Sequence, residues 1–304
     1  MQFLYLLESI RIPVLNEVLL AITQLGEETA FLVVALIMFW CVDKYKGYYI
    51  LSIGFVGTLI NQFLKLWFRI PRPWIIDSKF TILEQAREAA AGYSFPSGHT
   101  QSAIGTFGGI AYTTENRIVR HVAVILAILV AFSRMYIGVH TPLDVFVSIG
   151  IAILLIVILK PFILRDFNRT FPYIFGLMLA LSVGFLYFVE YYNFPSDIDP
   201  HNLESGIKNA YTLLGALIGL LLVYIVDEKW INFSTKATWW SQVLKVIGGL
   251  IIVLLVKSGL KTPLNFLFGE FFGRSVRYML IVIVAGIVWP LTFKFFSMLG
   301  DKQN

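Results

Sequence analysis

The chain has 304 residues, of which 58% are hydrophobic and only 14% charged, whereas an average soluble domain is about 25% charged. This composition excludes a water-soluble globular protein, which would expose large apolar patches. The net charge of +5 comes from basic residues scattered singly between apolar runs. That pattern suits loops beside lipid headgroups, so we expect a bilayer partner and no nucleic-acid partner. The single cysteine, Cys41, excludes an internal disulfide.

The N-terminal segment contains two short apolar runs. Glu8 and Arg11 interrupt the first, so we expect no cleavable signal peptide. The second run, 12–25, contains Asn16 and Glu17 and is shorter than the about 20 apolar residues of a membrane span. We therefore interpret 1–26 as interfacial N-terminal helices, with a membrane span at 12–25 as the alternative.

Longer apolar runs follow along the rest of the chain. They lie at about 27–43, 48–68, 98–113, 118–134, 141–160, 172–191, 209–226, 243–258 and 277–297. We predict an all-α, polytopic membrane helix bundle with about nine or ten transmembrane helices. Between the second and third runs, residues 79–91 have helical composition and are expected to form a short surface helix.

Cations and histidines stand at the ends of these runs. Lys65 and Arg72 follow one run, His99 opens the next, Arg134 closes the run after it, and His140 with Asp144 opens the following one. Because successive spans alternate in direction, all six residues should lie on the same side of the bilayer. A membrane protein does not keep three buried cations together without an anion, so the sequence predicts an anion site.

The cations and the helix start suit phosphate. Arg72 and Arg134 can bind phosphate oxygens through paired N–H groups, and Lys65 supplies a compact charge. Ser97 and Gly98 precede an apolar run, so free backbone N–H groups at that helix start should face the same anion.

The histidines suit covalent and proton-transfer chemistry. His140 and Asp144 are spaced i,i+4, hence neighbours on one helical face if the helix continues through Pro142. Asp144 would fix the imidazole tautomer and leave the other nitrogen of His140 free to attack phosphorus. His99 would protonate the leaving oxygen and later activate water. The neighbouring cations should oppose protonation of His140.

These residues resemble the type 2 phosphatidic acid phosphatase superfamily, whose pattern is Lys-x6-Arg-Pro, Pro-Ser-Gly-His and Ser-Arg-x5-His-x3-Asp. Residues 60–145 contain all three motifs in that order. The resemblance implies a metal-independent lipid phosphatase without a cofactor, with His140 as nucleophile, Asp144 as its partner and His99 as acid and base. It implies phosphate contacts from Lys65, Arg72, Ser97, Gly98 and Arg134.

Upstream, Gly26-Glu27-Glu28 and Trp40-Cys41-Val42-Asp43 are similar to the start of sphingosine-1-phosphate phosphatases and related bacterial members. That likeness hints at a single-chain lipid monophosphate, although undecaprenyl pyrophosphate, phosphatidate and phosphatidylglycerophosphate offer the same phosphoryl group. Glu27 and Glu28 are candidates for headgroup contact, or simply acids that suit a helix start. We divide the chain into the N-terminal helices 1–26, a phosphatase core at 27–165 and additional transmembrane helices at 166–304.

Loop charges indicate the orientation. Positive residues crowd into short loops on the face opposite the motifs, which favours a bacterial plasma membrane protein with its site on the extracytoplasmic face. Its substrate would be a lipid phosphate whose tail stays in the bilayer. The pairs Gly105/Gly109 and Gly215/Gly219 would allow close helix packing within the chain or in a homodimer.

Other interpretations stay open at this point. His99, His140 and Asp144 could ligate zinc, although three adjacent cations argue against a metal. Asp144 could form a capping box with Thr141, and Ser97 could be a plain N-cap. The basic cluster could also hold an anionic headgroup in a lipid or anion transporter or flippase, which needs no nucleophile, or belong to a catalytically idle scaffold.

Overall fold

The computed structural model describes residues 1–87, 90 and 92–299, and these residues contain helices and no strand. The α-helices are α1 (Gln2–Ser9), α2 (Pro13–Thr23), α3 (Glu28–Ile37), α4 (Lys44–Phe68), α5 (Pro73–Ile76), α6 (Gly98–Ala103), α7 (Gly109–Thr113), α8 (Arg117–Tyr136), α9 (Pro142–Leu164), α10 (Phe167–Tyr191), α11 (Pro200–Val226), α12 (Trp239–Gly259), α13 (Lys261–Phe268), α14 (Glu270–Ile283) and α15 (Phe293–Met298). Wider π-helical turns lie at Met38–Val42, Ile104–Gly108, Asp227–Ile231 and Val284–Val288. Tighter 3₁₀ turns lie at Gln24–Gly26, Glu84–Ala86 and Pro290–Thr292.

Within the described residues, seven helices are long and apolar enough to cross a membrane: Lys44–Ile76, Arg117–Tyr136, Pro142–Leu164, Phe167–Tyr191, Pro200–Ile231, Trp239–Phe268 and Glu270–Met298. The bent pair Pro13–Gly26 and Glu28–Val42, whose two parts meet at 58°, makes an eighth if it is one span. The predicted all-α membrane fold is thus confirmed, whereas the count of nine or ten is not.

Two local features of the chain explain why the structure has fewer membrane spans than predicted. The run 98–113 folds as α6, a π-helical turn and α7, which together are shorter than the about 20 residues of a full span. The runs 12–25 and 27–43 belong to one bent pair, because the 3₁₀ turn Gln24–Gly26 redirects the chain between them.

The expected surface helix at 79–91 is wrong for the residues that are described. Only Glu84–Ala86 forms a helical turn there, and residues 88, 89 and 91 lie outside the described residues. The backbone N–H of Leu83 donates to the carbonyl oxygen of Ile137 at 3.1 Å. Phe80 and Ile82 are buried against Met135 and other apolar residues. These tertiary contacts hold the segment extended, although its composition favours a helix.

The chain divides into two compact units. The first consists of Met1–Val34, Tyr49–Arg165 and Asn193–Gly206, and the second of Ala35–Tyr48, Asp166–Tyr192 and Ile207–Asn304. The residues of the three phosphatase motifs all belong to the first unit, whereas residues 40–43 belong to the second. There, α2 and α6 pack on α8, and α6 also packs on α9. This arrangement brings the N-terminus of α6 beside the C-terminus of α8.

Glycines permit close helix contacts inside each unit. In the first unit, a Cβ atom at Gly105 would lie 2.9 Å from Ile53 Cγ2, and one at Gly109 would lie 2.6 Å from Ile50 Cδ1. In the second unit, a Cβ atom at Gly215 would lie 2.0 Å from the carbonyl oxygen of Ser275 on α14. The glycine pairs noted in the sequence therefore serve helix packing within the chain.

Candidate active site

Backbone carbonyl oxygens hold the first two cations of the site. Helix α4 ends at Phe68, where Arg69 takes a positive φ of 51°. Lys65 Nζ donates to the carbonyl oxygen of Tyr93 at 2.5 Å. Arg72 Nε donates to the carbonyl oxygen of Gly92 at 3.1 Å. Only 8% of Lys65 and 5% of Arg72 is exposed, so both charges lie inside the protein.

Arg72 also meets His140 directly. The distance from Arg72 Nη1 to His140 Nε2 is 2.9 Å, and the same Nη1 donates to the carbonyl oxygen of Val139 at 2.9 Å. Because arginine has donors only, Nε2 must accept this hydrogen bond and the imidazole proton must sit on Nδ1. The Nδ1 atom faces Asp144 Oδ2 at 3.4 Å, somewhat longer than an ordinary hydrogen bond.

The side chain of Asp144 is held by hydrogen bonds from two directions. It forms a capping box with Thr141: Thr141 N donates to Asp144 Oδ2 at 2.8 Å, and Asp144 N donates to Thr141 Oγ1 at 3.3 Å. Ser94 Oγ donates to the same Oδ2 at 2.6 Å. The carboxylate that faces His140 is thus fixed from both sides.

The expectation that His140 and Asp144 share one helical face is wrong. Helix α9 begins at Pro142 with Thr141 as its N-cap, so His140 lies outside the helix. Proline is favoured at the first helical position, and Thr141 stops the helix from extending backwards. Asp144 reaches back from the first turn of α9 and meets His140 there.

The Pro-Ser-Gly-His motif begins α6 as expected. Ser97 is the N-cap, and its Oγ accepts hydrogen bonds from Thr100 N at 3.4 Å and from Thr100 Oγ1 at 2.9 Å. Ser97 N donates to the carbonyl oxygen of Asp144 at 3.2 Å, which joins the start of α6 to the start of α9. The N–H groups of Gly98 and His99 lie in the first turn of the helix and have no partner within it. They form the positive end of the helix dipole.

Arg134 closes the site from α8. Its Nη1 donates to Thr23 Oγ1 at 2.6 Å, and its carbonyl oxygen accepts from the backbone N–H of His140 at 3.3 Å. Arg134, His140 and Asp144 are each only 1% exposed. The three motifs, predicted from positions far apart in the chain, therefore come together at one end of the first unit.

Burial and the cations hold His140 neutral. Burial lowers the pKa of His140 well below its ordinary value of 6.5, and Arg72, Arg134 and Lys65 act in the same direction, in that order of size. The imidazole is therefore in the form that has a free lone pair for attack.

His99 and Glu27 lie at the side of the site formed by the bend after α2. His99 is half-buried, and a Cβ atom at Gly26 would lie 2.9 Å from its carbonyl oxygen. Glu27 follows Gly26 and is half-buried, whereas Glu28, in the first turn of α3, is exposed. Glu27 and Glu28, the two predicted headgroup contacts, thus differ in how far their side chains are exposed.

A cavity of about 280 Å³ lies beside Arg72 within the first unit. Asp199 N donates to the Tyr93 hydroxyl at 3.2 Å, which ties the 193–206 segment to the wall of this cavity. Its lining residues are Arg69, Pro71, Arg72, Ile75, Gly92, Tyr93, Asp197, Asp199 and Asn202. The cavity therefore carries both signs of charge at the entrance to a cationic site.

Sequence reasoning missed two residues that position this site. Ser94 holds Asp144, and Thr23 holds Arg134. Thr23 carried a weak signal as a polar residue in an apolar run. Ser94 carried none, because its partner lies 50 residues further along the chain.

The alternative zinc site has no matching geometry in the part of the chain that the structure describes, where no three His, Cys, Asp or Glu side chains converge as metal ligands. His140 Nε2, a nitrogen that a metal would use, faces the Arg72 guanidinium instead.

Comparison with known proteins identifies the family of the chain. The PAP2 superfamily model matches residues 45–167, and the model named PAP2 superfamily phosphatase, transmembrane extension, matches residues 211–302. No solved structure matches significantly.

Three curated relatives indicate how far the likeness extends. Phosphatidylglycerophosphatase B of Bacillus subtilis is 32% identical over 50% of this chain and 77% of the relative. Undecaprenyl-diphosphatase BcrC of Bacillus subtilis is 35% identical over 34% of this chain and 50% of the relative. Sphingosine-1-phosphate phosphatase 1 of Mus musculus is 25% identical over 79% of this chain and 58% of the relative. The motifs, their convergence in the first unit and these matches together show that the chain belongs to the PAP2 superfamily of phosphatases.

Proposed function

We propose that this integral membrane phosphatase hydrolyses a phosphomonoester or a pyrophosphate of a membrane lipid through a phosphohistidine at His140. One observation carries the proposal: a buried, neutral imidazole whose Nε2 lone pair lies 2.9 Å from the Arg72 guanidinium. A phosphoryl group that binds Arg72 would place its phosphorus atom next to the attacking nitrogen.

Phosphate binding would use the cations and the start of α6. The carbonyl oxygens that hold Lys65 and Arg72 are neutral acceptors, so phosphate oxygens can replace them without breaking an ion pair at those contacts. Arg134, the hydroxyl group of Ser97 and the free N–H group of Gly98 complete the set that we assign to phosphate. The cations would stabilise the charge that develops on the equatorial oxygens during transfer.

The chemistry would proceed in two displacements. Before the first step, the bound phosphate dianion offsets the cations that, with burial, lower the pKa of His99, so His99 takes up a proton. In the first step, His140 Nε2 forms a bond to phosphorus, the bond from phosphorus to the lipid oxygen breaks, and His99 donates that proton to the lipid oxygen. The proton on His140 Nδ1 stays directed at Asp144, which stabilises the positive imidazole. In the second, a water oxygen attacks phosphorus, its proton passes to His99, the bond to nitrogen breaks, and inorganic phosphate leaves.

The substrate would be a lipid rather than a soluble phosphate ester. The named relatives act on phosphatidylglycerophosphate, undecaprenyl diphosphate and sphingosine-1-phosphate according to their names. Lys65 lies at the end of a membrane-spanning helix, so a phosphate at the site is within reach of a lipid whose tail stays in the bilayer. The cavity beside Arg72 would take the polar headgroup, with Glu27 as a further contact and Glu28 as a more exposed one.

We propose the extracytoplasmic face of a bacterial plasma membrane as the location of the site, since the short loops of the opposite face are rich in Lys and Arg. Residues 27–165 would form the phosphatase core, 1–26 would cover it, and 166–304 would add further transmembrane helices. The transporter alternative has no support among the relatives, all of which are named as phosphatases.

Phosphate release by the purified protein from a panel of lipid phosphates, with EDTA present, tests the proposal. His140→Ala and His99→Ala should abolish turnover, while His121→Ala, which replaces an exposed histidine of α8, should not. After an alkaline quench, labelled phosphate should be found on the wild type and the His121→Ala variant and be absent from His140→Ala. Normal turnover by a well-expressed His140→Ala variant would overturn the mechanism.

A further inference from the structure

Two buried amide side chains lie beside the phosphate site. Asn61 on α4 is 3% exposed and Gln101 on α6 is 4% exposed. Among the residues that the structure describes, no protein group hydrogen-bonds to either amide, so Asn61 Nδ2 and Oδ1 and Gln101 Nε2 and Oε1 are all without a protein partner.

Each amide faces a glycine of the opposite helix. A Cβ atom at Gly98 would lie 3.7 Å from Asn61 Oδ1, and one at Gly57 would lie 2.5 Å from Gln101 Nε2. Asn61 precedes Lys65 by four residues, and Gln101 follows Ser97 by four, so each lies one helical turn from a phosphate-binding position. Since α4 runs toward the site and α6 runs away from it, both amides lie one turn deeper than the phosphate.

This placement points to bound water. Polar groups buried in a membrane protein are nearly always hydrogen-bonded, because hydrocarbon offers them no partner. A water molecule needs two to four polar partners, and each of the two amides supplies both donors and an acceptor between these helices. If the contact between α4 and α6 served packing alone, small or apolar side chains would satisfy it, as Gly105 and Ile53 do further along the same pair of helices.

We propose that Asn61 and Gln101 hold the water that hydrolyses the phosphohistidine at His140. The inference rests on the proposed function and adds a source for the second nucleophile. The lipid alcohol leaves first, and a water held by the two amides moves up by one turn into the position that the lipid oxygen has vacated, in line with the bond from phosphorus to Nε2, and attacks phosphorus. Its oxygen forms the new bond to phosphorus, its proton passes to His99, and the bond between phosphorus and His140 Nε2 breaks. Asn61 and Gln101 are positioning residues, because they act through this water.

Burial explains why the water would come from within the protein. The side chains of Arg134, His140 and Asp144 are almost fully covered, and a lipid substrate with its headgroup at Arg72 would fill the entrance. Water that is already stored on the deeper side of the phosphate does not have to pass the leaving lipid alcohol.

Single-turnover kinetics can separate the two chemical steps. Release of the lipid alcohol reports phosphorylation of His140, and release of inorganic phosphate reports hydrolysis. In Asn61→Leu and Gln101→Met, alcohol release should stay within about threefold of wild type, whereas phosphate release should slow by about tenfold or more, and labelled phosphohistidine should accumulate. Ser182→Ala serves as the control, because it removes a buried hydroxyl on α10 that has no partner among the described residues and should change neither step.

The possible outcomes are distinct. Equal slowing of both steps, or a rise in KM alone, would indicate a packing role or a direct substrate contact and would overturn the inference, as would no change in either variant. The two substitutions are on different helices, so one correctly folded variant, at Asn61 or at Gln101, is sufficient to test the inference. Absence of labelled His140 in the wild type would instead defeat the proposed function, and this inference with it.

Discussion

Arg72 donates a hydrogen bond to His140 at the very nitrogen that we propose as the nucleophile, over 2.9 Å between Nη1 and Nε2. The guanidinium therefore covers the imidazole lone pair until an anion draws it away. A phosphoryl oxygen that binds Arg72 would uncover Nε2 in the same movement. Substrate binding and nucleophile release are coupled through one hydrogen bond.

The acid limb of the pH profile should lie below pH 6.5. Burial and the three cations lower the pKa of His140 below 6.5, so the imidazole stays neutral and nucleophilic to lower pH than a free histidine would. Arg72→Gln removes the largest charge contribution, which raises the pKa of His140, so the limb of this variant should move to higher pH. The measurement is kcat/KM against pH for both proteins.

Comparison of the two profiles removes the main ambiguity of that measurement. The substrate phosphate itself titrates near pH 6, at about the second ionisation of a phosphomonoester, but it does so identically with either protein. Only the difference between the acid limbs of the two pH profiles reports the pKa of His140. Superimposable limbs would show that the guanidinium does not control protonation of the imidazole.

The two roles of Asp144 should be separable by mutation. Asp144→Asn keeps the size of the side chain but removes the charge that opposes the imidazolium, so we expect kcat/KM to fall by about 10²- to 10⁴-fold. Thr141→Ala removes the other half of the capping box and should cost about 1 kcal/mol of stability while it leaves most of the activity. Kinetics and thermal unfolding of the two variants provide the test. A similar loss of activity in both would mean that Asp144 acts mainly as a cap.

A methyl group at Gly26 should disturb His99. The Cβ atom of Gly26→Ala would lie 2.8 Å from Val130 Cγ1 and 2.9 Å from the carbonyl oxygen of His99. Backbone cannot yield as a flexible side chain does, so α6 should shift and turnover should fall by about tenfold or more, since catalytic geometry tolerates little displacement. Gly150→Ala is the matched control, because within the described part of the chain its added methyl group would have no other side chain or neighbouring helix within 4 Å. Equal activity of the two variants would contradict this role of Gly26.

The sequence predicted one site from residues far apart in the chain, and the roles assigned to these residues stay predictions, whereas the predicted number of helices was not confirmed. Lys65, Arg134 and His99 stand at the ends of apolar runs, which is the signal that pointed to a common site, although the run that His99 opens is shorter than a full span. The break of 98–113 by the π-helical turn Ile104–Gly108 could not be anticipated, because the run is uniformly apolar and has no proline.

The sequence also could not predict contacts between residues that are far apart in the chain. The hydrogen bond from Ser94 to Asp144 and the one from Leu83 to Ile137 depend on how distant segments meet, which no local periodicity reports. The helical expectation for 79–91 was wrong for this reason, since composition alone could not show that tertiary contacts hold the segment extended. His140 does lie next to Asp144. The reason is not a shared helical face, because the helix begins two residues after His140.

The cations of this protein are held in two chemically different ways. Lys44 lies 2.9 Å from the Asp227 carboxylate, a contact between full charges that resists exchange. Lys65 and Arg72 are instead fixed by the peptide oxygens of Tyr93 and Gly92, which align a positive group without cancelling it. An arriving dianion would thus find two positive groups that neutral oxygens already hold in position, and it could take the place of those oxygens.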